Sequence, residues 1–131
     1  MIIDSSYLFD LMAEDPHAFS KGTELAENGE MQWLPTPVVA ETYYGVATAR
    51  SDTTKQEVRN HILGYPRIDV DEEIARKAGE LLAAADDRVG GNVGVGANDG
   101  YIAAMADVLD DAVLTDNAED FEALGATVET Y

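Results

Sequence analysis

The chain has 131 residues, no cysteine, 8 Lys and Arg against 26 Asp and Glu, and a formal net charge of -18. That composition excludes a disulfide scaffold and a thiolate metal site, and its 46% hydrophobic content excludes a disordered acidic tail. No apolar run reaches the roughly 18–20 residues of a membrane-spanning helix, and Met1-Ile2-Ile3-Asp4 lacks the basic segment of a secretion signal, so the expectation is one soluble, cytoplasmic domain over residues 1–131.

Residues 1–4 read as a short buried strand ending in an acid. Residues 5–12 read as a helix that Ser5 or Ser6 caps. A second helix over 17–27 closes at Asn28-Gly29, and 31–34 form a short strand. Thr36-Pro37 predicts a helix start, with Thr as N-cap and Pro at the first helical position, and that helix runs to Ala47. Ser51 or Asp52 opens a helix ending near Gly64, and 67–70 form a strand. Asp71-Glu72-Glu73 begins an acidic helix with Ile74, Ala78, Leu81, Leu82 and Ala85 at helical spacing. Residues 90–96 form a glycine-rich flexible loop, and Asn98 caps a helix over 99–109. A strand over 112–115, a helix over 119–124 and a strand over 127–130 complete the chain. Short apolar strands alternating with helices predict an α/β fold with a mainly parallel central sheet.

Four groups of acids fall where a solvated helix face does not put them. Asp4 ends the first strand, where an open parallel sheet binds ligands and where a helix cap also sits. Glu41 shares a helix face with Val38, Tyr44 and Gly45. Either a small rotation exposes it, or it is buried and needs a cation, since no Lys or Arg stands at matching spacing before Arg50. Asp99 heads the stripe of Ile102, Ala103, Ala106 and Leu109, a position that helix-dipole placement also explains. Asp116, Asn117 and Asp120 follow the fourth strand; Asp116 or Asn117 caps the next helix, and the others stay free. Oxygen ligands converging without Cys or nearby His suit Mg²⁺, with Mn²⁺ as the alternative. His17 and His61 sit among polar neighbours and read as surface residues. Arg50, Lys55 and Arg59 follow the Glu41 helix and Arg88 borders the glycine loop, positions that face either solvent or phosphate.

Segments 2–8, 37–45, 98–106 and 114–121, each built around one of these acids, resemble the PIN-domain ribonucleases in order and spacing, and within them the VapC-type toxins of toxin–antitoxin pairs. The resemblance implies a three-layer α/β/α sandwich and a Mg²⁺-dependent endoribonuclease. Asp4, Glu41 and Asp99 would surround the cation, and Ser6 and Thr115 would support it. Many VapC-like members carry Asn at the position of Asn117 with an acid three residues on, so Asn117 or Asp120 completes the site, with Asp116 as substitute. Water activated by the cation would attack an RNA phosphodiester in line and leave 5′-phosphate and 3′-hydroxyl ends. The implied partners are RNA, a small antitoxin and a second copy of the chain, with no membrane. Tyr7, Phe9, Tyr43 and Tyr44 offer an apolar surface for such contacts, or belong to the core.

Other readings fit less well. A phosphoacceptor receiver domain wants a Lys near the last strand, and residues 127–131 hold none. A haloacid-dehalogenase-type phosphatase wants Asp-x-Asp where this chain has Asp4-Ser5-Ser6, and a Gly-rich loop ending in Gly-Lys-Ser/Thr is missing. The rival is a catalytically silent PIN-like binding module acting through a protein partner, which Asn117 keeps open. The acids are spread along the whole chain and not gathered in one patch, as expected of a halophile protein whose self-repulsion molar salt screens. In that setting the negative charge is no argument against a nucleic-acid substrate.

Overall fold

The computed structural model describes residues 1–49 and 53–131. Among the described residues there are five strands of two residues each: β1 (Ile2–Ile3), β2 (Leu34–Pro35), β3 (Arg67–Ile68), β4 (Val113–Leu114) and β5 (Val128–Glu129). Every pairing is parallel: β1 with β4, β4 with β5, and β2 with β3. Trp33 joins the two sheets, since Ile3 N–H donates to its carbonyl and its own N–H donates to the Met1 carbonyl. The strands therefore lie in the order β3-β2-β1-β4-β5, with β1 in the middle. Central parallel strands are covered on both faces, and Ile2, Ile3, Val113 and Leu114 are fully buried.

Among the described residues seven helices flank this sheet: α1 (Ser5–Met12), α2 (Pro16–Glu27), α3 (Thr36–Thr48), α4 (Lys55–Ile62), α5 (Glu72–Val89), α6 (Ala97–Leu109) and α7 (Ala118–Ala123). The result is an α/β sandwich. Helix α6 is its most buried helix, closed to solvent from Ile102 through Ala106, and its small residues let α5 lie close. At Gly100 an added Cβ would stand 2.8 Å from Leu82 Cδ1 on α5. None of the described helices is long and apolar enough to cross a membrane.

Several helix starts differ from expectation. Pro35, not Thr36, occupies the N-cap of α3, and α6 starts at Ala97 behind Gly96, so Asn98 lies inside its first turn and caps nothing. Ser51 and Asp52 lie outside the described residues; α4 begins at Lys55 behind Thr54, which forms a reciprocal capping box with Glu57. Asp15 caps α2, accepting from the His17 and Ala18 N–H groups. In each case the chain uses a residue already in extended conformation just before the helix, which defines an N-cap more strictly than side-chain type does. The strands expected at 67–70 and 127–130 shrink to two residues because the ladder bonds end there, and the one expected at 31–34 lies instead at Leu34–Pro35.

Candidate metal centre

Asp4 and Thr115 stand immediately past the carboxyl ends of the adjacent strands β1 and β4. Asp4 occupies the N-cap position of α1, yet its carboxylate takes no helix N–H. Instead Oδ2 accepts from Thr115 Oγ1 at 2.8 Å and from Ser6 Oγ at 3.1 Å. The reading of Asp4 as a simple cap is therefore wrong, and so is the reading of Ser5 or Ser6 as the cap. Both serine hydroxyls serve carboxylates, for Ser5 Oγ donates to Glu41 Oε2 at 3.2 Å.

Glu41 reaches this group from α3. It is half-buried, which rules out the rotated, solvent-facing alternative, and its Oε1 is buried with no hydrogen-bond partner. Burial pushes its carboxyl above the usual range, the Asp4 charge adds to the rise, the Ser5 hydroxyl opposes it, and Asp99 adds a smaller share. Asp99, in the first turn of α6, is pushed up to about 6 by burial first, then by the charges of Asp4 and Asp120. Glu41 thus feels the charges of Asp4 and Asp99, and Asp99 those of Asp4 and Asp120, which places the four carboxyls in one neighbourhood.

The loop after β4 sorts its three candidates by geometry. Thr115 Oγ1 accepts from the Asn117 N–H at 3.0 Å, and Asn117 Nδ2 donates to Asp120 Oδ2 at 2.7 Å. Asn117 thus holds Asp120, whose charge reaches Asp99. Asp116 is exposed, its N–H donates to Ser6 Oγ at 3.2 Å, and its charge is felt by Tyr131. The cluster as read at Asp99 contains Asp120 and not Asp116.

Among the described residues no Lys or Arg pairs with these four acids. Among the described residues the ion pairs are the Met1 amino group with Asp111, Lys21 with Glu24 and Glu129, and Lys77 with Asp107. Hard carboxylate oxygens, two of them oriented by hydroxyls and one left orphaned in the interior, form the donor set that Mg²⁺ or Mn²⁺ prefers. Among the described residues no three such side chains stand at mutual ligating distance, so a cation here would take part of its shell from water.

A family model described as the PIN domain matches residues 1–126. The chain belongs to the PIN-domain family. Solved structures of similar fold agree in shape: a chain of VapBC2 from Rickettsia felis, bound to a DNA fragment from its promoter, has a TM-score of 0.81 at 19% identity, over 98% of this chain and 96% of that one. DNA-bound VapBC from Salmonella typhimurium gives 0.78 at 21%, again over 98% and 96%. VapBC-1 from nontypeable Haemophilus influenzae gives 0.76 at 19%, with the same coverage. No curated protein matches the chain in sequence.

Elsewhere in the PIN domain the basic residues are partly spoken for. Arg88 donates to the Ala123 carbonyl at 2.6 Å and Arg67 to the Ile62 carbonyl at 2.9 Å. Lys55 and Arg59 are exposed on α4, and Arg50 lies outside the described residues. The aromatic surface divides: Tyr7 is fully buried, Tyr43 packs partly against the core, and Tyr44 is 72% exposed. His61 is not a surface residue. It is half-buried with Nε2 lacking a partner, burial lowers its pKa, and it lines an apolar groove of about 420 Å³ with Tyr7, Leu11, Phe19 and Tyr65. Sequence reasoning also missed the role of Ser5. The signal was present, since a hydroxyl beside Asp4 is as close to a cluster as to a helix start.

Proposed function

We propose that the chain is a Mg²⁺-dependent endoribonuclease, the toxin member of a toxin–antitoxin pair, with Asp4, Glu41, Asp99 and Asp120 as its metal-binding and catalytic acids. The observation that carries this reading is the neighbourhood of carboxyls beyond β1 and β4, in which Glu41 feels Asp4 and Asp99, Asp99 feels Asp4 and Asp120, one oxygen is buried and orphaned, and none is paired to a described basic side chain. Bound Mg²⁺ or Mn²⁺ would neutralise phosphoryl oxygens and lower the pKa of the attacking water. The chain supplies the placement. Thr115 and Ser6 hold Asp4 Oδ2, Ser5 holds Glu41 Oε2, and Asn117 turns Asp120 inward. Thr115 and Ser6 are support rather than ligands, Asn117 is support for Asp120, and Asp116 stands outside the set. No histidine is needed as a base, since neither His17 nor His61 adjoins these acids.

The partner reading rests on the company the fold keeps: the similar solved structures are VapBC complexes. For a protein partner the chain offers the groove between α1, α2 and α4, with Phe19 70% exposed at its edge. A homodimer and a cytoplasmic location belong to the same reading.

The test is RNA cleavage by purified protein in molar KCl with Mg²⁺ or Mn²⁺. The wild type is expected to cut, and both EDTA and Asp99→Asn to abolish cutting by a factor of at least about 100, the scale of losing one electrostatic element of a hydrolytic site. If folded wild type cuts neither structured nor unstructured RNA, the silent binding module replaces the nuclease.

A further inference from the structure

Tyr131 follows β5 and lies 121 positions from the residue it bonds: its hydroxyl donates to Asp10 Oδ2 at 2.6 Å. Its ring meets the fully buried Tyr7 edge-on, with centroids 5.4 Å apart and planes at 69°. Asp10 stands one helical turn beyond Ser6 on α1, so both project from one face. Ser6 Oγ in turn donates to Asp4 Oδ2 and accepts from the Asp116 N–H. The Tyr131 hydroxyl senses Asp10, Asp116 and Ser6. Burial raises its pKa most, the bond to Asp10 and the charges of Asp10 and Asp116 raise it further, and Ser6 opposes the rise. The phenol therefore sits where α1, the loop after β4 and the end of β5 meet. Phenylalanine would serve the contact with Tyr7 equally well, so packing does not explain the hydroxyl.

We propose that Tyr131 is a positioning residue of the nuclease centre: through Asp10 it fixes the turn of α1 that carries Ser6, and so holds the hydroxyl that orients Asp4. The consequence for catalysis rests on the nuclease reading above, whereas the link from Tyr131 to Ser6 does not.

The experiment compares Tyr131→Phe, Asp10→Ala and Asp10→Asn with the wild type by amide hydrogen exchange, Mn²⁺ calorimetry and RNA cleavage. In Tyr131→Phe and Asp10→Ala the Asp116 amide, which donates to Ser6, is expected to exchange about three to ten times faster, the range of one weakened hydrogen bond. The Ile74 amide, bonded to Asp71 at the start of α5, keeps its rate. Mn²⁺ affinity and kcat fall by a similar factor while KM for RNA holds, because a positioning role gives Tyr131 no contact with RNA. Asp10→Asn keeps an acceptor for the phenol and stays near wild type. An unchanged Asp116 rate in both disruptive variants overturns the proposal, as does a uniform rise over all amides, which would mean general loosening. A faster Asp116 amide with unaltered Mn²⁺ affinity overturns the link to the centre. If the wild type neither binds Mn²⁺ nor cuts RNA, the nuclease reading fails, and the exchange result still decides whether Tyr131 holds Ser6.

Discussion

Asp99 shows what the centre costs the fold. Its carboxyl is pushed up to about 6, whereas an aspartate in the unfolded chain titrates near 4. Between those values the folded chain holds a proton that the unfolded chain has released. Stability therefore falls as pH rises through that interval and stays at its lower level above it. In divalent-free buffer Asp99→Asn is expected to melt above the wild type near neutral pH, and the difference is expected to close near about pH 4. Mn²⁺ should raise the wild-type melting temperature and leave the variant unmoved. The same carboxylates explain what was legible residue by residue. Asp4, Glu41 and Asp99 were readable because each stood at a strand end, on an apolar helix face or at a helix start. The contacts of Asp116, Asn117 and Asp120 were not, because the Thr115 hydroxyl and the Asn117 amide set them across a turn. Tyr131 was invisible for a simpler reason: its partner is distant in the chain and unremarkable in sequence.

Two glycines test the packing of neighbouring helices with opposite signs. Gly79 lies exposed within α5 with open space where a Cβ would stand. Gly79→Ala is expected to stabilise by about 1 kcal/mol, the helix-propensity difference. Gly100 on α6 has Leu82 Cδ1 at 2.8 Å and Cγ at 3.1 Å from the same position. Gly100→Ala forces the leucine branch point to move and is expected to lower the melting temperature despite the better helix former. Thermal unfolding of the two variants side by side checks both. Helices such as α5 were legible because their periodicity runs over many residues. Helix starts were less so, since Gly96 and Pro35 serve as caps by backbone conformation alone. Strand ends were over-read because an apolar run marks what is buried, not how far the ladder bonds extend.

Across the molecule the formal charge of -18 opposes compaction. Few acids are compensated: the described ion pairs involve Met1, Lys21 and Lys77. At molar ionic strength the screening length falls to about 3 Å, which removes most repulsion between surface carboxylates. The melting temperature is therefore expected to climb steeply from dilute to molar KCl; a flat response would mean that the surface acids are compensated in some other way. Sequence indicated this burden and the α/β class from composition and alternation alone. The β3-β2-β1-β4-β5 order was not legible, because the bridge at Trp33 sets it.

The four acids sit at positions 4, 41, 99 and 120, on separate elements. Nothing shorter than nearly the whole chain brings them together. During synthesis the first acid emerges early and waits for the last, so on the proposed nuclease reading a growing chain would hold no cutting centre. Truncated and misfolded products are disarmed for the same reason. On the proposed reading, any hazard to the cell begins only at the final closure of the fold, when the surface for an antitoxin is complete as well.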